Sequence, residues 1–248
     1  AHTEIYTLSL HDALPICMPE RVQLFVTCLV DTFFPEIGEA MVRVLRRAGA
    51  RVEFPAGQTC CGQPAFNAGL RSEARPMAEH TLRVFEATQG PVVIPSGSCA
   101  AMVRHGYPEL FRDDPEWLAR AEALAKRTYE LTEYLVDVRG FAAGPGAPTL
   151  GARWPGKLAY HASCHLLRGI RVQEQPRRLL RKVAGLELVE MKNSDYCCGF
   201  GGAFAVKYPD ISAAMVNDKV DHIVNSGADT VVGCDTGCLL NIAGAVSR

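Results

Sequence analysis

Eight of the ten cysteines form two ordered sets, Cys28, Cys60, Cys61 and Cys99, then Cys164, Cys197, Cys198 and Cys238. Cysteine thiolates bind soft metals and iron–sulfide clusters. In each set an adjacent Cys-Cys-Gly stands between two distant single cysteines, which gives four donors for one centre. Cys28 precedes Cys164 by 136 residues, Cys60 and Cys61 precede Cys197 and Cys198 by 137, and Cys99 precedes Cys238 by 139. The surroundings recur as well: FVTC matches HASC, TCCGQPAF matches YCCGFGGAF, and VVIPSGSC matches VVGCDTGC. A fixed offset of this kind marks an internal duplication. Packing alone explains a buried cysteine, but it does not explain two adjacent pairs repeated in register. Zinc is the nearest rival, since four thiolates hold it tetrahedrally, yet structural zinc sites draw on close CxxC pairs. A strained Cys60–Cys61 disulfide is a minor alternative.

The elements that carry these cysteines alternate between strand and helix. In the first half the pattern predicts strands over 22–27, 51–54 and 92–95 and helices over 35–48 and 72–87. The second half predicts strands over 157–161, 187–191 and 230–233 and helices over 175–184 and 210–225. The expected class is therefore α/β: two pseudo-symmetric βαβ-type, Rossmann-like halves with parallel sheets, each carrying one Cys-Cys-Gly motif. Between them 114–138 reads as one long helix opened by Asp114 as N-cap and Pro115, followed by a Gly- and Pro-rich linker over 140–156. The expected domains are 18–139 and 157–248.

In open α/β sheets the carboxyl ends of the strands border a crevice. Cys28, Cys99, Cys164 and Cys238 each follow a predicted strand, so four thiols are expected in the crevice of each half. Helix starts nearby would turn N–H groups toward thiolate and sulfide, an environment that suits an iron–sulfur cluster. Gly62, Gly199, Gly201 and Gly202 are expected to let backbone approach the cofactor closely. Cys234 is opposite Pro95 in the repeat and reads as accessory. His161 and His165 flank Cys164 and could reach a cluster sulfur or replace a ligand, although core or capping roles are commoner. Arg104, His105 and Arg168 are further basic residues that the sequence leaves unplaced.

Composition narrows the function further. Lys and Arg number 26 against 27 Asp and Glu, which leaves no field to hold nucleic acid. The most apolar stretch, 230–246, falls short of a membrane span. With 48% hydrophobic and 21% charged residues the chain builds a core and needs no disulfide staples, and no basic segment followed by an apolar one precedes Met18, so the reading is a cytoplasmic, reducing setting. Residues 3–16 read as a translated sequencing adapter. This makes 1–17 a non-native leader, Met18 the expected start and Cys17 a junction residue without a role. The helical pattern still running at Arg248 leads to the expectation of a truncated C-terminus. Neither GxxxxGK[ST], nor GxGxxG after a strand, nor a compact CxxCxxCxxxC run occurs. Electrons must then come from a partner or a small redox substrate.

LFVTCLVDTFFPEIGEA, QTCCGQPAFNAG, PSGSCA, YHASCHLLRG and YCCGFGGAFAVKYPDIS together resemble the CCG, or cysteine-rich-domain, iron–sulfur proteins. Within that group the chain is most similar to the lactate-utilisation protein A family, which is related to the heterodisulfide reductase B subunit. The resemblance covers essentially residues 18–248. It implies a cytosolic subunit of an L-lactate-oxidising complex, with one or two iron–sulfur clusters of the 4Fe-4S kind. The implied partners are a ferredoxin-like iron–sulfur lactate-utilisation subunit and a third lactate-utilisation subunit. The implied cluster ligands are the eight cysteines of the two sets. The family pattern ends in CxxC, and Ser96 and Asp235 stand here in place of the first cysteine of that pair, as possible oxygen ligands. The resemblance also implies a chain that continues past Arg248. Two other functions remain open: a disulfide-reducing iron–sulfur protein and a non-catalytic, zinc-stabilised assembly module.

Overall fold

A computed structural model describes residues 20–247; the expectations about the leader, Met18 and Cys17 lie outside the described residues. The first half runs β1 (Arg21–Leu24), α1 (Cys28–Phe33), α2 (Pro35–Arg47), β2 (Arg51–Glu53), α3 (Gln63–Asn67), α4 (Arg71–Glu86), β3 (Val92–Ile94), α5 (Gly97–Ala101), α6 (Tyr107–Leu110), α7 (Pro115–Ala125), β4 (Thr128–Glu130) and α8 (Leu131–Glu133). The second runs β5 (Arg153–His161), α9 (Glu174–Leu180), β6 (Ala184–Val189), α10 (Ala203–Lys207), α11 (Pro209–Val224), β7 (Thr230–Gly233) and α12 (Thr236–Val246). Wider π-type turns occupy Met102–Gly106, Tyr134–Val138 and His165–Gly169.

Both sheets are parallel, as the alternating pattern requires, with strand orders β2-β1-β3-β4 and β6-β5-β7. The repeat is visible in the topology, since β5, β6 and β7 take the places of β1, β2 and β3. In β1 successive side chains point to opposite faces. Val22 and Leu24 pack with Met41 and Leu45 of α2 on one face, while Phe25, just beyond the strand, packs with Leu82 and Phe85 of α4 on the other. Helices thus cover both faces of the first sheet. The expected local signals hold at α2, which Pro35 opens and Gly49 follows at φ +82°, and at α7, where the Asp114 carboxylate accepts the Trp117 N–H at 3.4 Å.

The expected long helix over 114–138 is corrected. It breaks after Ala125, and Thr128–Glu130 pairs in parallel with β3 as a fourth strand. Thr128 and Tyr129 suit a half-buried pleat, and β3 offers an edge to pair with. The Arg127 guanidinium fastens the turn by donating to the carbonyls of Gly90 and Phe85. Segment 140–156 is irregular up to Ala152, and its last residues already belong to β5.

The halves share a core. Leu166, Ile170 and Val172, from the second half, lie buried among Phe25, Leu82, Val103 and Tyr107 of the first. Gly97 permits this approach: a Cβ there would stand 2.6 Å from Leu166 Cβ. The Gly97 N–H also donates to the Cys234 carbonyl at 2.9 Å, a backbone bond between the halves. Among the described residues no helix is long and apolar enough to cross a membrane.

Candidate metal centre

Every loop that carries a cysteine leaves the carboxyl end of a strand. Cys28 is the first residue of α1 after β1, Cys99 the third of α5 after β3, and Cys238 the third of α12 after β7. Cys164 follows β5 and opens into the turn at His165–Gly169. Each Cys-Cys-Gly is a tight turn with its glycine in the left-handed region, Gly62 at φ +83° and Gly199 at φ +80°. These glycines meet helices and not the cavity, because a Cβ on Gly62 would stand 3.3 Å from Met77 Cβ, and one on Gly199 only 2.6 Å from the Ser212 carbonyl oxygen. Gly201 and Gly202 do line the cavity. Side-chain donors anchor both turns: Tyr107 Oη donates to the Cys61 carbonyl at 2.9 Å and Asn241 Nδ2 to that of Cys198 at 2.7 Å.

The sequence led to the expectation of one crevice per half. The structure instead has a single cavity of about 150 Å³ lined by all eight cysteines. Leu29, Pro64 and Phe200 supply apolar wall, and among the described residues the lining includes no Lys or Arg. Within the first set Cys28 Sγ lies 3.5 Å from Cys60 Sγ, and Cys61 Sγ 3.4 Å from Cys99 Sγ. The thiols of Cys28 and then Cys61 donate to Cys60, with help from the Gly62 N–H, and lower its pKa to about 3. The same bonding raises Cys28 and Cys61 above the ordinary thiol value. In the second set the thiols of Cys164 and Cys198 and the Gly199 N–H, 3.4 Å from the sulfur, lower Cys197 to about 2. Cys164 and Cys198 rise correspondingly.

Cys60 and Cys197 are therefore favoured as thiolates over the raised thiols beside them, Cys28 and Cys61 in the first set and Cys164 and Cys198 in the second, because like charges this close cannot all ionise. A bound cationic centre reverses that balance, since a coordinating thiol is deprotonated outright. Four clustered soft donors on an apolar wall without a compensating basic side chain match what a metal–sulfur centre requires.

Ser96 and Asp235 both line the cavity, and they meet each other. Ser96 Oγ donates to Asp235 Oδ2 at 3.1 Å, and the same oxygen accepts the Ser98 N–H at 3.0 Å. Ser96 also caps α5 by accepting the Cys99 N–H at 3.3 Å. This link between the halves was not legible in the sequence, because its partners stand 139 residues apart. Cys234 faces away from the cavity, with its sulfur 3.8 Å from Tyr160 Oη. Arg104 pairs with Glu133 at 2.8 Å and Arg168 with Asp195 at 3.4 Å, and neither they nor His105 line the cavity.

The two histidines differ. His165 lines the cavity with Nδ1 3.7 Å from Cys164 Sγ. His161 is buried, and burial lowers its pKa to about 4. The Ser194 backbone lies beside the ring, but neither ring nitrogen has a hydrogen-bond partner. Lys219, fully buried, donates from Nζ to the carbonyls of Asn193 at 2.8 Å and Ser194 at 3.3 Å. It stands on the buried stripe of α11 with Ser212, Val216 and Ile223, where its spacing fits the core face and its charged residue type does not.

Behind this wall, Glu130 is buried at the start of α8, and its carboxylate accepts the N–H groups of Thr132 and Glu133. Burial raises its pKa to about 7. A folded-state pKa above the unfolded value means that the folded protein binds the extra proton, so this contribution is present at low pH and is lost as pH rises through about 7. Glu130→Gln, which stays neutral, is expected to remove that loss, worth about 3 kcal/mol for the whole shift. Urea midpoints near pH 5 and pH 8 check it, and parallel pH profiles for the two proteins would contradict it.

Parallel βαβ halves, repeated Cys-Cys-Gly turns and eight thiols on one cavity define a duplicated cysteine-rich protein whose cavity is a candidate metal site. The profile of the CCG cysteine-rich domain matches residues 22–104 and again 158–243. The chain is 50% identical over 228 residues to Lactate utilization protein A of Geobacillus kaustophilus, covering 92% of each chain. It is 51% identical over 228 residues to the protein of that name from Shouchella clausii, again covering 92% of each. The chain belongs to the CCG cysteine-rich-domain proteins and, within them, to the lactate utilization protein A family.

Proposed function

We propose that this chain is the iron–sulfur electron-transfer subunit of an L-lactate-oxidising complex. The observation that carries the reading is the pair of four-cysteine sets on one cavity, in a chain whose relatives are named for lactate utilization. Cys28, Cys60, Cys61 and Cys99 hold one centre, and Cys164, Cys197, Cys198 and Cys238 the other. A 4Fe-4S-type cluster supplies reversible one-electron chemistry when bound, and lactate oxidation to pyruvate releases two electrons and two protons. The protein's own part is to hold the thiolates, to shield them with Leu29, Pro64 and Phe200, and to turn the backbone N–H groups of the Cys-Cys-Gly turns toward sulfur. The partners are a ferredoxin-like iron–sulfur subunit and a third lactate-utilisation subunit, in the cytoplasm, and the duplicated domains are 18–139 and 157–248, joined by 140–156.

Anaerobic purification followed by iron and acid-labile sulfide analysis tests the reading. Brown protein with iron and sulfide in stoichiometric amounts is expected. Colourless protein carrying zinc, or no metal even after anaerobic reconstitution, overturns it. The shared cavity also favours a second reading, in which a small disulfide enters between the sets and takes two electrons and two protons to give two thiols. Oxidation of the reduced protein by a disulfide, without partner subunits, distinguishes this from electron relay.

A further inference from the structure

The two halves repeat their cysteines but not what lies behind them. In the register that aligns FVTC with HASC, Phe25 corresponds to His161. Phe25 is ordinary core, packed against Phe85 with ring centroids 5.0 Å apart. His161, the last residue of β5, is 1% exposed, and both Nδ1 and Nε2 are buried without a hydrogen-bond partner. They are the only such side-chain atoms among the described residues. An unpartnered buried polar group costs about 1–3 kcal/mol, so an imidazole at a position where the repeat tolerates phenylalanine calls for a partner that pairs with it.

The neighbours indicate what that partner is. A ring nitrogen of His161 and the sulfurs of Cys198 and Cys238 all lie within 4.8 Å of one another. Cys198 and Cys238 belong to the second set, and imidazole nitrogen replaces thiolate sulfur in some iron–sulfur centres. His165 is the competing imidazole, but it is partly exposed at the cavity and has the Cys164 sulfur at 3.7 Å as partner.

We propose that His161 ligates the metal–sulfur centre held by Cys164, Cys197, Cys198 and Cys238, giving the second site five protein donors where the first has four. The proposal rests on the iron–sulfur reading and makes the two centres chemically unequal. A neutral nitrogen added to four thiolates leaves the charge of its centre unchanged, so the two centres differ in donor number and donor type and not in charge.

Pulsed EPR on the full chain, labelled with ¹⁵N-histidine and poised anaerobically in its paramagnetic state, tests this. One strongly coupled histidine nitrogen is expected in the wild type and in His165→Asn. In His161→Phe, which places the first half's residue in the second, the coupling is expected to vanish and the midpoint potential of one centre, and not of the other, to shift in an optical redox titration. The labelled wild type decides even if that variant misfolds. Loaded protein with no histidine coupling, with only the weak coupling of a hydrogen-bonded nitrogen, or with a coupling lost in His165→Asn overturns the proposal and leaves the cluster reading standing. Protein without iron and sulfide overturns both.

Discussion

Cys61→Ser combined with Cys198→Ser is expected to yield colourless protein with almost no iron or sulfide, and to lower lactate-dependent electron transfer in the presence of the partner subunits by at least about 100-fold. Both sulfurs are buried, each 2% exposed, so water cannot replace them as donors. Cys61 Sγ lies 3.4 Å from Cys99 Sγ, a spacing set by backbone turns that serine leaves unchanged. The variant therefore changes the donor and not the fold. Serine oxygen is a hard ligand whose proton is far more costly to remove than a thiol's. Each single variant is expected to lose about half of the iron, because the two sets share a cavity and no ligand. Cys234→Ser is the control: its sulfur faces Tyr160 Oη, so full iron content is expected. Wild-type iron in the double variant would contradict the assignment of the ligands.

Leu166→Ala is expected to destabilise the whole molecule by about 2–5 kcal/mol, the range for deleting a fully buried leucine. Leu166 follows Cys164 in the second half of the sequence, yet its side chain, 0% exposed, sits in the core of the first half. It packs where Gly97 lacks a Cβ, and relaxation there would have to move the start of α5 and with it Cys99. One tryptophan stands in each half, Trp117 and Trp154, and they are the chain's only two. Urea unfolding of Trp117→Phe and Trp154→Phe backgrounds therefore reports the halves separately. Both reporters are expected to shift together to lower urea in Leu166→Ala. A shift confined to Trp154, or one below about 1 kcal/mol, would show that the shared core contributes little.

His161 and Ser96 show where sequence reasoning stops. His161 could be flagged from its place beside Cys164, but an ordinary core histidine has the same local sequence. Only the burial of both ring nitrogens without partners, close to Cys198 and Cys238, separates the two. Ser96 and Asp235 could be flagged as exceptions to the cysteine pattern, whereas their hydrogen bond to each other depends on how two sheets meet. The same limit explains the long helix expected over 114–138: Thr128–Glu130 has a weak pattern of its own and becomes a strand because β3 offers an edge.

The sequence by itself determined the duplication, the α/β class, the parallel sheets, the main helix starts and stops, and the eight candidate ligands. These depend on residue type and short-range spacing, which act through backbone propensity and the strand–turn–helix connection before any long-range contact forms. Tertiary structure alone decided that both cysteine sets open on one cavity, that Leu166 completes the other half's core, and that His161 stands unpaired where Phe25 is packed. Those outcomes depend on the angle and distance at which the halves dock. Docking is governed by the fit of side chains more than 60 residues apart, such as Gly97 against Leu166, and no local pattern records it.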